Sequence, residues 1–205
     1  SGFVYGLFTG YSFLKQKNIN NVLLICSDTY TKYIRKGNKS CETIFSDAAS
    51  AIILKKNLKK KFKFSFGTDG SGSNNLIVKN SASNFKKNFN PEIFMDGQKI
   101  FMFTMTNIPN FVSKLLQKNN ISIKEIKFFI FHQASKVVIE NLVRKMNLPK
   151  AKVFCNYDKI GNTVSSSIPI VLYDLLKNNK IKRGDKLLLC GFGVGYSMAA
   201  AIIEY

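Results

Sequence analysis

Lys127-Phe128-Phe129-Ile130-Phe131-His132-Gln133-Ala134-Ser135 is the stretch on which the reading of this chain turns. Its apolar run has the length and the aromatic, β-branched content of a buried strand. Val138, Leu142, Val143 and Met146 then recur at helical spacing, and the pattern stops before Pro149. A strand followed by a helix leaves His132-Gln133-Ala134 at the carboxyl end of the strand, where open α/β sheets gather their ligands. His132 is the only histidine in the chain. A lone histidine more often fills a loop than performs chemistry, so its meaning depends on what else reaches that edge.

Working outward, similar units appear. Phe62 to Phe66 alternates apolar and basic residues as a half-exposed strand does. Gly97 to Leu116 has mostly helical spacing, with Pro109 expected to kink or restart the helix. Val153-Phe154 reads as a short strand, residues 164–177 as a helix, and Leu187 to Cys190 as a strand. Strands alternating with helices imply an α/β fold with a largely parallel sheet covered on both sides.

Residues 1–54 and 165–205 share an order of elements. Each has a helix (Phe3 to Lys17; Ile168 to Leu176), a strand (Val22 to Cys26; Leu187 to Cys190), and a closing strand that is small and then branched. The closing strands are Asp47-Ala48-Ala49-Ser50-Ala51-Ile52-Ile53-Leu54 and Ser197-Met198-Ala199-Ala200-Ala201-Ile202-Ile203. This suggests a duplicated unit. The second copy has a long prelude, residues 62–164, and the first has none. The expectation is that roughly 100 residues precede Ser1 in a longer polypeptide.

The chain's 205 residues and 45% hydrophobic content suit a globular protein with a substantial core. No apolar run reaches membrane-spanning length, and the opening stretch lacks the basic start of a secretory signal. The formal net charge is +19. It is almost entirely lysine, since Arg35, Arg144 and Arg183 are the only arginines. Base-edge recognition leans on arginine forks, so the charge fits coding bias, or attraction to anionic small molecules and acidic proteins, better than DNA reading. Lys59-Lys60-Lys61 reads as a solvated linker. Cys26, Cys41, Cys155 and Cys190 form no CxxC pair and no metal set with the single histidine. Reduced thiols in a cytoplasmic protein are expected.

Three loops follow successive strands: His132-Gln133-Ala134, Gly161-Asn162-Thr163, and Gly191-Phe192-Gly193-Val194-Gly195. In a parallel arrangement they open on one edge. They would offer an imidazole, a carboxamide and backbone N–H groups, a set suited to stabilising an enolate or a tetrahedral oxyanion. The glycine turn is no dinucleotide site, because GxGxxG is not matched.

With these motifs the chain resembles the carboxyl-terminal part of a β-ketoacyl-acyl-carrier-protein synthase III, a condensing enzyme of the thiolase fold. The resemblance extends over Ser1-Gly2-Phe3, Phe45-Ser46-Asp47-Ala48-Ala49, Asp69-Gly70-Ser71, Met95-Asp96-Gly97, His132-Gln133-Ala134, Gly161-Asn162-Thr163 and Phe192-Gly193-Val194-Gly195. It implies a layered αβαβα fold, with residues 1–60 the end of the first half and 61–205 the second. It implies decarboxylative condensation of acyl-coenzyme A with malonyl-acyl carrier protein in fatty-acid or related lipid or polyketide synthesis. Coenzyme A and phosphopantetheine thioesters would be substrates, with no cofactor and no metal, and the full-length protein would be a homodimer. His132 and Asn162 would be catalytic, and the N–H of Val194 an oxyanion donor. Lys39, Gly97, Phe101, Ala134 and Ser135 would bind coenzyme A or pantetheine, Ser135 standing where the family usually has Asn. Arg144 and Lys145 would dock the carrier protein, and Tyr30 and Phe45 would border the acyl pocket. The family's nucleophilic cysteine directly precedes the segment matching Ser1-Gly2-Phe3.

Other readings are acyl transfer to a heteroatom, non-decarboxylative condensation, a catalytically dead scaffold half, or a nucleic-acid-binding module with strongly salt-dependent affinity. None of the four cysteines stands at the nucleophile's place. This chain by itself should therefore give no stable adduct in intact-mass analysis after treatment with acyl-coenzyme A.

Overall fold

A computed structural model describes residues 1–57, 59–81, 87 and 89–205. Its centre is a four-stranded sheet in the order β3-β8-β7-β6. The strands are β3 (Lys63–Thr68), β6 (Ile126–Phe131), β7 (Lys186–Gly193) and β8 (Ser197–Glu204). β6 and β7 run parallel, while β7–β8 and β8–β3 pair antiparallel. This corrects the expected, largely parallel sheet. Alternation of strands and helices does not report direction, and the short link from β7 to β8 can only close a hairpin. The expected strand at Val153-Phe154 is reduced to one parallel bridge, Phe129 with Val153. A single 3₁₀ turn at Lys150–Lys152 takes up the chain just before it.

Side chains of β6, β7 and β8 are buried on both faces, and the pleat sorts them. Phe129, Phe131, Leu188, Cys190, Phe192, Ala200 and Ile202 join one cluster. Helices α3 (Gly97–Lys118) and α4 (Lys136–Lys145) complete it through Ile108, Val112, Ile139 and Leu142. Phe128, Ile130, Leu187, Leu189, Ala199 and Ala201 face the other way. There α1 (Gly2–Phe13) contributes Phe3, Val4 and Leu7, and α6 (Ser167–Lys177) contributes Ile168, Val171 and Leu175. Helix α3 is continuous through Pro109, with no restart.

Beyond α1 and α6 lies a two-stranded antiparallel sheet of β1 (Asn21–Asp28) and β2 (Ala48–Lys55). Leu24, Ile52 and Leu54 pack inward, whereas Leu23, Ile25 and Ile53 are 60–65% exposed. The described residues thus stack as α3/α4, large sheet, α1/α6, small sheet. Both copies of the suspected repeat run helix, strand, antiparallel strand, as α1-β1-β2 and α6-β7-β8.

The remaining elements are short: α2 (Lys39–Glu42), α5 (Tyr157–Ile160), and a hairpin of β4 (Leu76–Lys79) with β5 (Glu92–Met95) that the sequence reading did not anticipate. Lys60 is no plain linker residue. Its Nζ lies 3.4 Å from Glu204 Oε1 and donates to the Tyr205 carbonyl at 2.6 Å. Among the described residues no helix is long and apolar enough to cross a membrane.

Gly191 marks a close approach of backbone to backbone between layers. A Cβ there would fall 2.7 Å from Ser1 Cα, which is backbone and cannot swing aside. Gly191→Ala should therefore lower stability by about 1–3 kcal/mol through overpacking. Gly193→Ala, with open space around its Cβ, should change the urea midpoint little.

Candidate active site

β6 ends at Phe131 and hands His132 to the sheet edge. The His132 N–H still donates to the Cys190 carbonyl at 2.8 Å, so the residue is held at strand register beside β7. Its ring is half-buried and meets the Phe192 ring edge-on, 5.6 Å between centroids. Nδ1 lies 2.7 Å from Ser167 Oγ. Burial above all depresses the imidazole, to about 3 from an ordinary value of 6.5. His132 is therefore neutral at physiological pH.

Asn162 reaches the same place from another layer. It forms a parallel bridge with Phe45, donating its N–H to the Ile44 carbonyl at 2.8 Å and accepting from Ser46 N–H at 3.0 Å. Its Oδ1 accepts from Val164 N–H at 3.0 Å, and its Nδ2 points to the Ala134 carbonyl at 3.4 Å. Ala134 N–H in turn donates to the His132 carbonyl at 2.9 Å. The carboxamide thus meets the main chain just past His132, and the ring reaches it through Ser167 Oγ and Val164, whose N–H Asn162 Oδ1 accepts.

Val164 occupies the left-handed region with φ 53°. For a β-branched residue this costs on the order of 1–3 kcal/mol, and such strain collects at functional sites. Here it turns the Val164 N–H back onto Asn162. The serines that follow fasten the segment to three neighbours. Ser165 donates from N–H and hydroxyl to Asp28 Oδ2 at the end of β1. Ser166 Oγ donates to the Cys26 carbonyl at 3.0 Å. Ser167 Oγ meets His132 and, at 2.9 Å, the Val164 carbonyl. The sequence reading missed this role, although three serines in a row before an apolar helix were a visible signal.

The glycine turn between β7 and β8 is clamped by the loop after β3. Asp69 and Tyr196 exchange backbone hydrogen bonds, Asn75 Nδ2 donates to Tyr196 Oη at 2.6 Å, and the Tyr196 ring stacks on Phe103 at 3.9 Å. Gly72 leaves room for that ring, since a Cβ there would strike it. Val194 sits in this turn, 40% exposed and two residues past Phe192.

The other candidates separate into near and far. Phe101 and Ala134 pack against the one core cluster that includes Phe192. Tyr30 and Phe45 touch, ring centroids 5.4 Å apart, beside Asn162. Ser135 caps α4, accepting from Val138 N–H at 3.3 Å. Gly97 opens α3 and Lys39 opens α2, both exposed. Arg144 and Lys145 are exposed in the last turn of α4, where cations also suit the helix dipole. A groove of about 1610 Å³ between α1, β2, β3 and α6 contains none of these residues.

Burial raises every cysteine thiol: Cys26 and Cys41 above the usual value, Cys190 to about 12, and Cys155 to about 11 with help from Asp158 and Glu140. Such thiols are poor nucleophiles at neutral pH. Among the described residues no group of three His, Cys, Asp or Glu could hold a metal ion.

A layered α/β fold with a neutral histidine, a carboxamide and a glycine turn at one strand edge defines a thiolase-like protein. Comparison with known proteins narrows this further. The family model described as 3-oxoacyl-[acyl-carrier-protein (ACP)] synthase III matches residues 1–70, and that of its C terminal matches residues 116–205. The whole chain aligns at 30% identity with the β-ketoacyl-[acyl-carrier-protein] synthase III of Fusobacterium nucleatum, spanning 65% of it. The synthase III of Clostridium novyi aligns at 31%, with 65% of its length covered. A 2.1 Å crystal structure of a 3-oxoacyl-(acyl-carrier-protein) synthase III superposes with a TM-score of 0.94 at 32% identity, the chain covering 66% of it. This chain belongs to the 3-oxoacyl-[acyl-carrier-protein] synthase III family. It spans about 65% of the length of the curated relatives it matches.

The depressed imidazole predicts a pH dependence. An unfolded histidine takes up a proton near 6.5 while His132 in the fold does not until about 3. The stability from keeping it neutral is present above about 6.5 and is lost as pH falls toward 3. NMR of the folded protein should show no imidazole protonation between about pH 7 and pH 5, where a free histidine titrates.

Proposed function

We propose that the full polypeptide carrying this chain catalyses decarboxylative condensation of an acyl group from acyl-coenzyme A with a malonyl group on acyl carrier protein. The observation that carries this is the linking of the His132 ring to the Asn162 carboxamide through Ser167 and Val164, with Asn162 Oδ1 taken by Val164 N–H and its Nδ2 turned to the Ala134 carbonyl. What Asn162 turns to the site is its NH₂ donor. Two neutral donors around one thioester oxygen stabilise the enolate left when the malonyl group loses carbon dioxide.

The nucleophile in this reading is a cysteine joined to the Ser1 amino group. Ser1 is the N-cap of α1 and packs against Gly191, so a thiol there would stand at a helix amino end, which favours the thiolate. It would accept the acyl group from coenzyme A and release the coenzyme. The malonyl thioester would follow, and its carbanion would attack the acyl-enzyme carbonyl while Val194 N–H receives the oxyanion. Phe101, Ala134, Ser135, Gly97 and Lys39 line the route proposed for the pantetheine arm and coenzyme A. Arg144 and Lys145 present positive charge to the acidic carrier protein. A homodimer and a cytoplasmic setting complete the reading.

The test is carbon dioxide release from malonyl-carrier protein. His132→Ala and Asn162→Ala should each lower it by about 10²–10³-fold. The double variant should lose much less than the product, because both donors serve one oxygen. Unchanged release in either single variant would reject that residue's role, and no release from the unsubstituted full polypeptide would favour heteroatom acyl transfer or non-decarboxylative condensation.

A further inference from the structure

The positive charge of this chain is sorted to one end. The margin of the large sheet opposite His132 gathers the starts of β3, β6 and β7 and the end of β8. The end of β2 joins the end of α1 there, where Lys56 Nζ donates to the Gln16 and Lys17 carbonyls at 2.6 and 3.2 Å. The Tyr205 carbonyl, just past β8, accepts from Lys60 Nζ and from Gly184 N–H before β7. Lys55, Lys59 and Lys61 are exposed at this end, as are Lys177, Lys180, Lys182 and Arg183 between α6 and β7.

Acidic residues hardly answer them. Within residues 15–21, 55–63, 177–186 and 204–205 the only carboxylates are Asp185 and Glu204. Asp185 Oδ2 accepts from Lys182 N–H, and Glu204 lies beside Lys60. Acids collect at the other margin instead: Asp28 ends β1, Asp47 precedes β2, Asp69 follows β3 and Asp96 caps α3. Coding bias supplies lysine but does not sort it by position in the fold. The helix dipole suits Lys177 in the last turn of α6, and it says nothing of lysines at strand ends and in the linker.

Lysine is a point charge suited to many phosphates in no fixed geometry, and only Arg183 offers a fork here. Apolar side chains stand among the lysines: Phe13, Leu176 and Tyr205 are 46%, 38% and 41% exposed. Leu176 and Tyr205 line the same groove as Lys61 and Arg183. A phospholipid surface accepts both kinds of group, ammonium at the headgroup phosphate and apolar side chains at the acyl boundary. A nucleic acid duplex would answer only the charge. We propose that this lysine-rich end docks reversibly on an anionic phospholipid surface and leaves the His132 margin turned to solvent. The docking does not depend on which reaction that margin performs.

The experiment sediments the full-length polypeptide with vesicles of equal parts phosphatidylglycerol and phosphatidylcholine, and with vesicles of phosphatidylcholine alone. Binding is expected on the anionic vesicles only, weakening about tenfold or more between about 0.05 and 0.5 M salt. K55Q/K59Q/K61Q/K182Q, all at exposed positions, should bind about ten- to hundred-fold more weakly. K32Q/K36Q/K99Q/K136Q has the same net charge, with its changes after β1 and in the first turns of α3 and α4, and should bind as the unsubstituted protein does. No sedimentation of the unsubstituted protein with anionic vesicles overturns the proposal. So does equal binding to phosphatidylcholine alone, or equal weakening in the two variants. Random-sequence duplex DNA that strips the protein from the vesicles at equal phosphate concentration assigns this end to nucleic acid and overturns it as well.

Discussion

Strands β6, β7 and β8 have no side that can face water. Their alternate residues enter two separate clusters, one closed by α3 and α4 and the other by α1 and α6. Phe129, Ile130 and Phe131 are fully buried in succession, as are Leu187, Leu188, Leu189 and Cys190. Each large apolar side chain contributes about 1.5–3 kcal/mol when taken fully from water. Such strands tolerate polar groups only where they end. His132 and the glycine turn therefore fall at the sheet margin, and the parallel pairing of β6 with β7 puts them at the same margin.

The site is assembled across layers rather than along the chain. Asn162 is pinned to the segment before β2 through Ile44 and Ser46, and of the serines after it Ser165 reaches β1, Ser166 both β1 and Ala48 of β2, and Ser167 His132. This network ties the His132 edge of the large sheet to the small sheet on the far side of α1 and α6. The strained backbone of Val164 is sustained by these contacts, and it aims an N–H that no helical or extended residue would aim there. Burial then keeps the imidazole neutral, which is the state in which its proton position matters.

The lysine-rich surface is a separate matter from the fold. Ion pairs among the described residues join Lys60 to Glu204, Lys99 to Asp96, and Lys186 to Glu125, all at partly exposed positions. Exposed pairs of this kind contribute roughly 0–1 kcal/mol each. A net charge of +19 instead raises the local concentration of anions around the molecule. A phosphate-bearing thioester or an acidic carrier would feel that field before it met any particular side chain.

The sequence by itself determined the longer strands, the longer helices and the three loops, because hydrophobic period, glycine and proline are local properties. It also carried the family, through short motifs around His132, Asn162 and Val194. Strand direction was not legible, since a residue pattern is the same whichever way its neighbour runs. The β4–β5 hairpin was missed because its strands are only four residues each. Val153-Phe154 looked like a strand and makes a single bridge, as a short apolar pair cannot show whether neighbours extend its ladder. Only tertiary structure decided that Ser167 stands against Nδ1, that Val164 turns its N–H onto Asn162, and that burial holds His132 neutral. Those depend on groups far apart in the chain meeting in a dry place, where hydrogen-bond accounting and desolvation, rather than residue type, set the chemistry.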